Sequence, residues 1–377
     1  MTDLATPPTP QTPARRRFRP GSSDRFGRLW AAQPLPVRLL AVVVLFLILA
    51  VLVPTAPVAS VMTGGNSDWP TVLFNPIGVY ILLALGLNVV VGEAGMLDLG
   101  YVGFFAVGGY AMGVLGTKQH WSFWVILPVG IILSAISGLI LGAPTLRLRG
   151  DYLAIVTLGF GLIIYQYVKN SSWDGGAQGI VNIPHPPSID HINVLTYGIG
   201  NTKAYYYLVL AAIFLVVFVV RRLKASRVGR AWVAIREDED AAELMGVPTY
   251  RFRLWAFAIG ASIGGFTGVL FSAQIISISP DNFPYATSVL ILVCVVLGGS
   301  GNIPGVILGA FVVAWVPEKL RFVDKYKILG TGVLLIAFMI VRPEGLRPSR
   351  RKKAEMAGRG AGGMSTAMVP PGLEGDV

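Results

Sequence analysis

Four acids stand in a row at Glu237, Asp238, Glu239 and Asp240, inside the stretch REDEDAAELMGVPTYR at 236–251. Residues that could make or break bonds are otherwise thinly spread. His120, His185 and His191 are scattered, and each reads as an ordinary surface residue. Cys294 is the single cysteine and lies in an apolar run. It can form no internal disulfide and reads as a small buried hydrophobe. The run GGSGN at 298–302 suggests a phosphate loop but lacks the Gly-Lys-Ser/Thr ending, and no Gly-Lys dipeptide occurs in the chain. A Walker A loop is therefore absent. Neither HExxH nor a paired-cysteine motif occurs, so the sequence offers no catalytic residues and no metal ligands.

The acidic stretch has the start and stop of a short helix. Carboxylates in a first turn complement the positive helix end, each contributing about 0.3–1 kcal/mol at a surface. Ala241, Leu244 and Met245 follow at i, i+3 and i+4 and make one narrow apolar face. Gly246 and Pro248 end the helix. Two turns are not stable alone in water, so this helix needs something to pack on. One reading is a solvated loop resting on lipid, although four acids sit poorly beside an anionic leaflet. The other is a helix that docks into a partner protein.

The elements that carry this helix are apolar. Hydrophobic residues make up 54% of the chain and charged residues 14%, against about 25% charged in soluble domains. Mean hydropathy is +0.64. The chain reads as an all-α, polytopic transmembrane helix bundle with polar tails. Expected spans are 37–54, 76–92, 97–116, 122–143, 151–168, 204–221 and 254–276, with the shorter 286–299, 303–317 and 327–342 after them. That gives about eight to ten crossings at roughly 20 residues each, with ten favoured. Residues 1–36 and 347–377 are expected to be disordered basic tails, and 37–346 to form the membrane domain.

The net charge of +11 does not point to nucleic acid, because Lys and Arg cluster between apolar runs, as in loops facing anionic headgroups. With ten spans both termini are cytoplasmic. Most of the 31 Lys and Arg then fall inside, leaving Lys118, Lys169, Lys203, Lys319, Arg321, Lys325 and Lys327 outside. Residues 169–203 are expected outside and 222–253 inside.

Many of the 45 glycines fall within spans. Gly109 and Gly113 are four apart, as are Gly260, Gly264 and Gly268, and Gly301, Gly305 and Gly309. Small residues at this spacing let helix backbones approach closely in lipid; a thin-walled path along which helices slide is the other reading. In LRLRGDY, Arg147 and Arg149 mark the cytoplasmic side and Asp151 can cap the next helix. Glu93 and Asp98 flank GEAGMLDLG near the inner membrane edge, either as caps of a short turn or as a paired or pathway role.

Several of these stretches resemble a known family. DAAELMG at 240–246 is similar to the EAA motif, E-A-A-x-x-x-G, of bacterial ABC importer permeases, with Asp240 in place of the usual Glu. The motif is degenerate on its own. LDLGYVGFFAVGGYAMGVL at 97–115, LRLRGDYLAIVTLGFG at 146–161, GGAQGIVNIP at 175–184, GRAWVAIREDEDAAELMGV at 229–247, VLGGSGNIPGVILGA at 296–310 and RPEGL at 342–346 narrow it. Together they resemble the LivM-type permease of branched-chain amino acid ABC transporters, over about residues 75–346. Leu162 departs from the pattern, standing where an acid is expected after LGFG.

The resemblance implies a coupling helix in which Asp240, Ala241, Ala242, Leu244, Met245 and Gly246 enter a cleft of an ATPase subunit. The implied partners are two ABC ATPase subunits that bind the ATP, a second LivH-type permease, an extracytoplasmic substrate-binding protein and membrane lipid, with no nucleic acid. The implied location is the bacterial cytoplasmic membrane. Asp174 and Asn182 are candidate contacts for the binding protein, against ordinary loop solvation. The implied cargo is Leu, Ile or Val, with urea or short amides as the alternative. An ion-driven secondary transporter predicts ionisable residues at mid-membrane, where the sequence has only scattered polar residues such as Asn88 and Gln166. A membrane-embedded enzyme needs a reactive cluster that the sequence lacks.

Overall fold

The structure, a computed structural model, describes residues 73–146, 151–171, 175–187, 197, 202–319 and 332. The expected spans 37–54 and 327–342, both tails, Arg147, Arg149, Asp174 and His191 lie outside the described residues, Gly332 excepted, as does the side chain of Asp151.

Among the described residues the chain is helical, with one isolated antiparallel bridge between Ile180 and Ile278. The helices are α1 (Val79–Leu87), α2 (Tyr101–Lys118), α3 (Phe123–Thr145), α4 (Asp151–Asn170), α5 (Thr202–Ala225), α6 (Arg227–Glu237), α7 (Glu239–Leu244), α8 (Thr249–Ile275), α9 (Tyr285–Gly298) and α10 (Ile303–Lys319). Wider π-type turns, Leu73–Gly78 and Asn88–Glu93, extend α1 at both ends. Six helical stretches are long and apolar enough to cross a membrane: Asn75–Glu93, Phe123–Thr145, Tyr152–Asn170, Lys203–Ala225, Thr249–Ile275 and Pro280–Gly298. Helix α2 is diluted by its glycines, and α10 carries the shorter apolar stretch Ile303–Val316.

Helices α1 and α8 form the centre, each 78% buried over its apolar window, whereas α4 is 28% buried. The sequence explains the difference. VYILLALGL is apolar on every side, so α1 has no face for a polar solvent. Leu82, Leu83, Leu85 and Leu87 are fully buried. Helix α4 buries Leu153, Ala154, Thr157, Gly161 and Val168 and leaves Ile155, Ile163 and Tyr167 exposed, as a peripheral helix against lipid or a second chain must.

Glycine sets the closest approaches. A Cβ on Gly268 of α8 would stand 2.1 Å from the carbonyl oxygen of Phe105 on α2, and one on Gly108 the same distance from that of Gly265. On Gly260 it would meet Val90 at 2.5 Å, and on Gly264 the Cβ of Phe104 at 3.2 Å. Gly109 faces Phe283 and Ser272, and Gly113 faces Ile278 and Ile180. Gly309 of α10 packs on Cys294 and Gly298 of α9, and the carbonyl of Gly305 faces Gly298. Gly301 differs: it precedes α10 and sits in the α9–α10 turn with φ +80°.

Two ends of the bundle can be told apart. At one, the arm end, the chain just after α1, the end of α5 and the turn after α9 meet one another, and the last residues of α3 meet the first residues of α8. Lys224 donates to Glu93 at 2.5 Å, Gly301 N–H to Asn88 Oδ1 at 2.8 Å, and Tyr250 Oη to the Ala143 carbonyl at 3.1 Å. At the other, the strap end, residues 175–187 lie against the segment after α8. Ile180 and Ile278 exchange backbone bonds of 2.8 and 2.9 Å, and Ile183 N–H reaches the Ile276 carbonyl at 2.9 Å. Tyr205 Oη, 2.6 Å from His185 Nδ1, donates to the Ala273 carbonyl at 3.0 Å.

Residues 94–100 join α1 to α2 without helical structure. Ala94, Met96, Asp98 and Gly100 are buried while Gly95 and Leu97 are exposed, and α2 begins level with Thr157 of α4. Leu99 N–H donates to Thr157 Oγ1 at 3.0 Å, Val102 N–H to Ser288 Oγ of α9 at 2.9 Å, and Gly100 N–H to Asp98 Oδ1 at 2.9 Å. Free amides at a helix start need partners. Inside a membrane, irregular backbone survives only where protein supplies them.

Candidate docking arm

The arm follows α5. Ser226 caps α6, its hydroxyl accepting the Gly229 N–H at 3.4 Å. Helix α6 is amphipathic: Gly229, Ala231, Trp232 and Ile235 are buried, while Arg227, Arg230, Arg236 and Glu237 are exposed. Trp232 is 1% exposed, and its Nε1 donates to the Phe252 carbonyl at 2.7 Å, which staples α6 to the first turns of α8.

The four acids do not share one helical turn, as the sequence reading has it. Glu237 ends α6, and Asp238 is extended at φ −157°, ψ 111°, breaking the chain into two helices. The Asp238 side chain then accepts the Ala241 N–H at 2.9 Å, so Asp238 is the cap of α7, with Glu239 and Asp240 in the first turn. An acidic cap satisfies an orphan amide and opposes the positive end of the helix dipole.

The far end of α7 closes in a Schellman motif. Val247 N–H bonds the Ala242 carbonyl at 3.0 Å and Gly246 N–H the Glu243 carbonyl at 2.9 Å. Gly246 has φ +82°, a left-handed conformation that glycine adopts without penalty. A Cβ there would meet nothing within 4 Å.

Of the apolar residues on α7, Ala242 is buried. Ala241 is exposed, Leu244 is 88% exposed and Met245 85% exposed. Two large apolar side chains thus project from the tip of a helix that is capped at both ends. The base of the arm is held by charge: Arg253 of α8, itself buried, forms an ion pair with Glu239 and donates from Nε to the Met96 sulfur at 3.3 Å. Arg236 of α6 donates to the Gly92 carbonyl, and its stem covers Gly95. Lys224 of α5 bonds both Glu93 and the Gly301 carbonyl at 2.5 Å. Glu93 is therefore paired with Lys224, and Asp98 accepts the Gly100 N–H in the turn before α2. Sequence reasoning did not foresee the junction of Arg236, Arg253, Glu239, Met96 and Lys224. Its one visible signal is the burial-compatible spacing of Arg253 on an apolar helix; the pairings span up to 157 positions.

The remaining expectations fall as follows. Asn182 is exposed on the strap with φ +62°. Cys294 is buried. Leu162 lies on the exposed face of α4. The run GASIG at 260–264, which the sequence reading passed over, has the spacing of a nucleophile elbow, which needs a sharp strand-to-helix turn. Here it lies in the middle of α8, and Ser262 Oγ donates to the Ala258 carbonyl at 2.7 Å. It is helix, not an elbow.

Comparison with known proteins places the chain in a permease family. Residues 71–341 match the family model described as branched-chain amino acid transport system / permease component. The chain belongs to this permease family. It is 40% identical to the high-affinity branched-chain amino acid transport system permease protein LivM of Escherichia coli K12 over 303 residues, 76% of this chain and 71% of the relative. Identity to the protein of the same name from Salmonella typhimurium is also 40%, over 74% of this chain and 70% of the relative. The permease protein LivH of E. coli K12 is 25% identical over 74% of this chain and 96% of its own length. No solved structure matches. Within the permease family, then, this chain is similar to both kinds of named subunit and stands nearer in identity to the LivM proteins. A transport permease is not an enzyme, in keeping with the sequence reading.

Proposed function

We propose that the chain is the membrane-spanning permease subunit of an ABC importer for branched-chain amino acids, resident in the bacterial cytoplasmic membrane. The observation that carries the mechanism is the exposure of Leu244 and Met245 at the tip of a doubly capped helix. Helix α7 is the coupling helix, and Asp240, Ala241, Ala242, Leu244, Met245 and Gly246 enter a cleft on one of two ATPase subunits. Those subunits bind and hydrolyse ATP. The arm end is cytoplasmic and the strap end external, which agrees with the Lys and Arg of 221–253. Ten spans follow if 37–54 and 327–342 also cross, and both termini are then inside. A LivH-type chain is the second permease. The substrate-binding protein docks on the strap end, with Asn182 and Asp174 among its contacts.

Transport then needs no tight site in this chain. The binding protein selects the amino acid, and ATP binding in the partner biases the bundle between two states through α7. The test uses Leu244→Cys in the assembled complex, where the native Cys294 is buried. Cross-linking from position 244 to an ATPase subunit supports the reading, and its absence in an active complex overturns it. For the cargo, uptake of labelled leucine is expected to vanish on deletion of the gene and to return with it. Unchanged leucine uptake with lost urea uptake would move the assignment to amides.

A further inference from the structure

The arm is tied to one particular piece of the bundle. Arg253 holds Glu239, the first residue of α7, with one end of its guanidinium and the sulfur of Met96 with Nε. Both Arg253 and Met96 are buried, at 6% and 4% exposure. Arg236, next to the last residue of α6, grips the Gly92 carbonyl and covers Gly95. Both arginines of the arm's base therefore end on residues 92–96. That stretch leads into the non-helical residues 94–100, where Gly95 has φ +76°. Such a segment can change shape without breaking a helix, and its far end sets the start of α2 through Asp98 and Gly100.

We propose that Arg253 is a positioning residue for energy coupling: it links α7 to the broken segment 94–100, so that movement of the docked helix shifts this segment and the start of α2. Arg236 on Gly92 is the second tie. The inference rests on α7 being the docking helix. It adds that the first part of the membrane domain to respond is 94–100. A lysine at 253 could pair with Glu239 but could not also hold the Met96 sulfur from a second nitrogen of one rigid plane.

The experiment uses the complete importer in proteoliposomes with Leu97→Cys as a reporter, since Leu97 is 38% exposed and Cys294 is buried. The maleimide labelling rate at 97 is measured without nucleotide and with a non-hydrolysable ATP analogue. The expected result is a change of about fivefold or more on nucleotide binding in the parent, lost in Arg253→Gln and in Glu239→Gln. The cross-link from Leu244→Cys to the ATPase persists in both. A labelling change that survives both substitutions overturns the proposal, as does a parent with no change. If both variants also lose the 244 cross-link, Arg253 merely holds the arm in place, and the proposal again fails. Absence of that cross-link in the parent sinks the docking reading instead, so the two failures are distinguishable.

Discussion

Truncating Leu244 is the sharpest way to separate docking from folding. Its side chain is 88% exposed in the chain alone, so Leu244→Ala removes almost no internal contact. The helix itself is indifferent or gains slightly, because alanine is the better helix former. The permease on its own should therefore keep its thermal stability. If the ATPase cleft buries the leucine fully, the substitution removes three carbons at about 0.8 kcal/mol each, or about 2.4 kcal/mol. At 1.4 kcal/mol per factor of ten, that weakens association by about fiftyfold. The assay is titration of detergent-solubilised permease complex with purified ATPase subunit, beside a melting curve of the permease alone. Leu244→Ala with unchanged melting and unchanged ATPase affinity would refute the assignment of this tip as a docking surface. Reduced melting would instead show that the residue is part of the bundle's own packing.

Other outcomes follow from the same geometry. Gly246→Glu is expected to abolish transport while the bundle still folds, whereas Gly246→Asn keeps most uptake, because asparagine tolerates the left-handed φ of +82°; leucine uptake with parallel size-exclusion profiles checks both. Gly268→Val puts carbon into a gap where even a Cβ lies 2.1 Å from a carbonyl. It should cost more than the usual 1–3 kcal/mol or so of overpacking and yield aggregated protein on extraction. Gly159→Ala, with open space around its Cβ, should leave melting unchanged or raised by up to about 1 kcal/mol of stability. Tyr205→Phe removes the donor to the Ala273 carbonyl and the contact with His185, and should lower stability by about 0.5–1.5 kcal/mol without changing assembly of the ATPases.

The parts of this fold that follow from local chemistry were readable in the sequence. Apolar runs and their polar breaks placed α1 to α5, α8, α9 and α10 close to their observed bounds, because a long apolar run has few other ways to satisfy its backbone in lipid. Glycine spacing marked the close approaches of α2, α8 and α10. Gly246 and Pro248 marked the end of α7. The break at Asp238 was missed because a run of four acids suits a helix start equally well at any of its positions. Only the extended backbone at Asp238, held between Trp232 on one side and Arg253 on the other, decides it. The late start of α2 was missed for a related reason. LDLG is apolar enough to be helix, and it remains open because the Thr157 hydroxyl, remote in sequence, takes the Leu99 amide and Asp98 that of Gly100, while Ser288 takes the Val102 amide in the first turn of α2. The charged junction was out of reach altogether, since its partners are set by how helices cross.

The close seams of α8 with α2 and with α3 bear on how such a bundle moves. Where Gly108 of α2 meets Gly265 of α8 the two backbones touch, and towards α3 only the small Ser134 side chain intervenes, its Oγ 2.0 Å from where a Cβ on Gly265 would stand, so little is left between the helices to change rotamer. A seam with backbone or one small side chain at the contact cannot yield by small repacking. The three helices are obliged to travel as one block, and whatever opens and closes must do so along boundaries cushioned by full side chains, such as the one where Phe160 of α4 leans on Phe104.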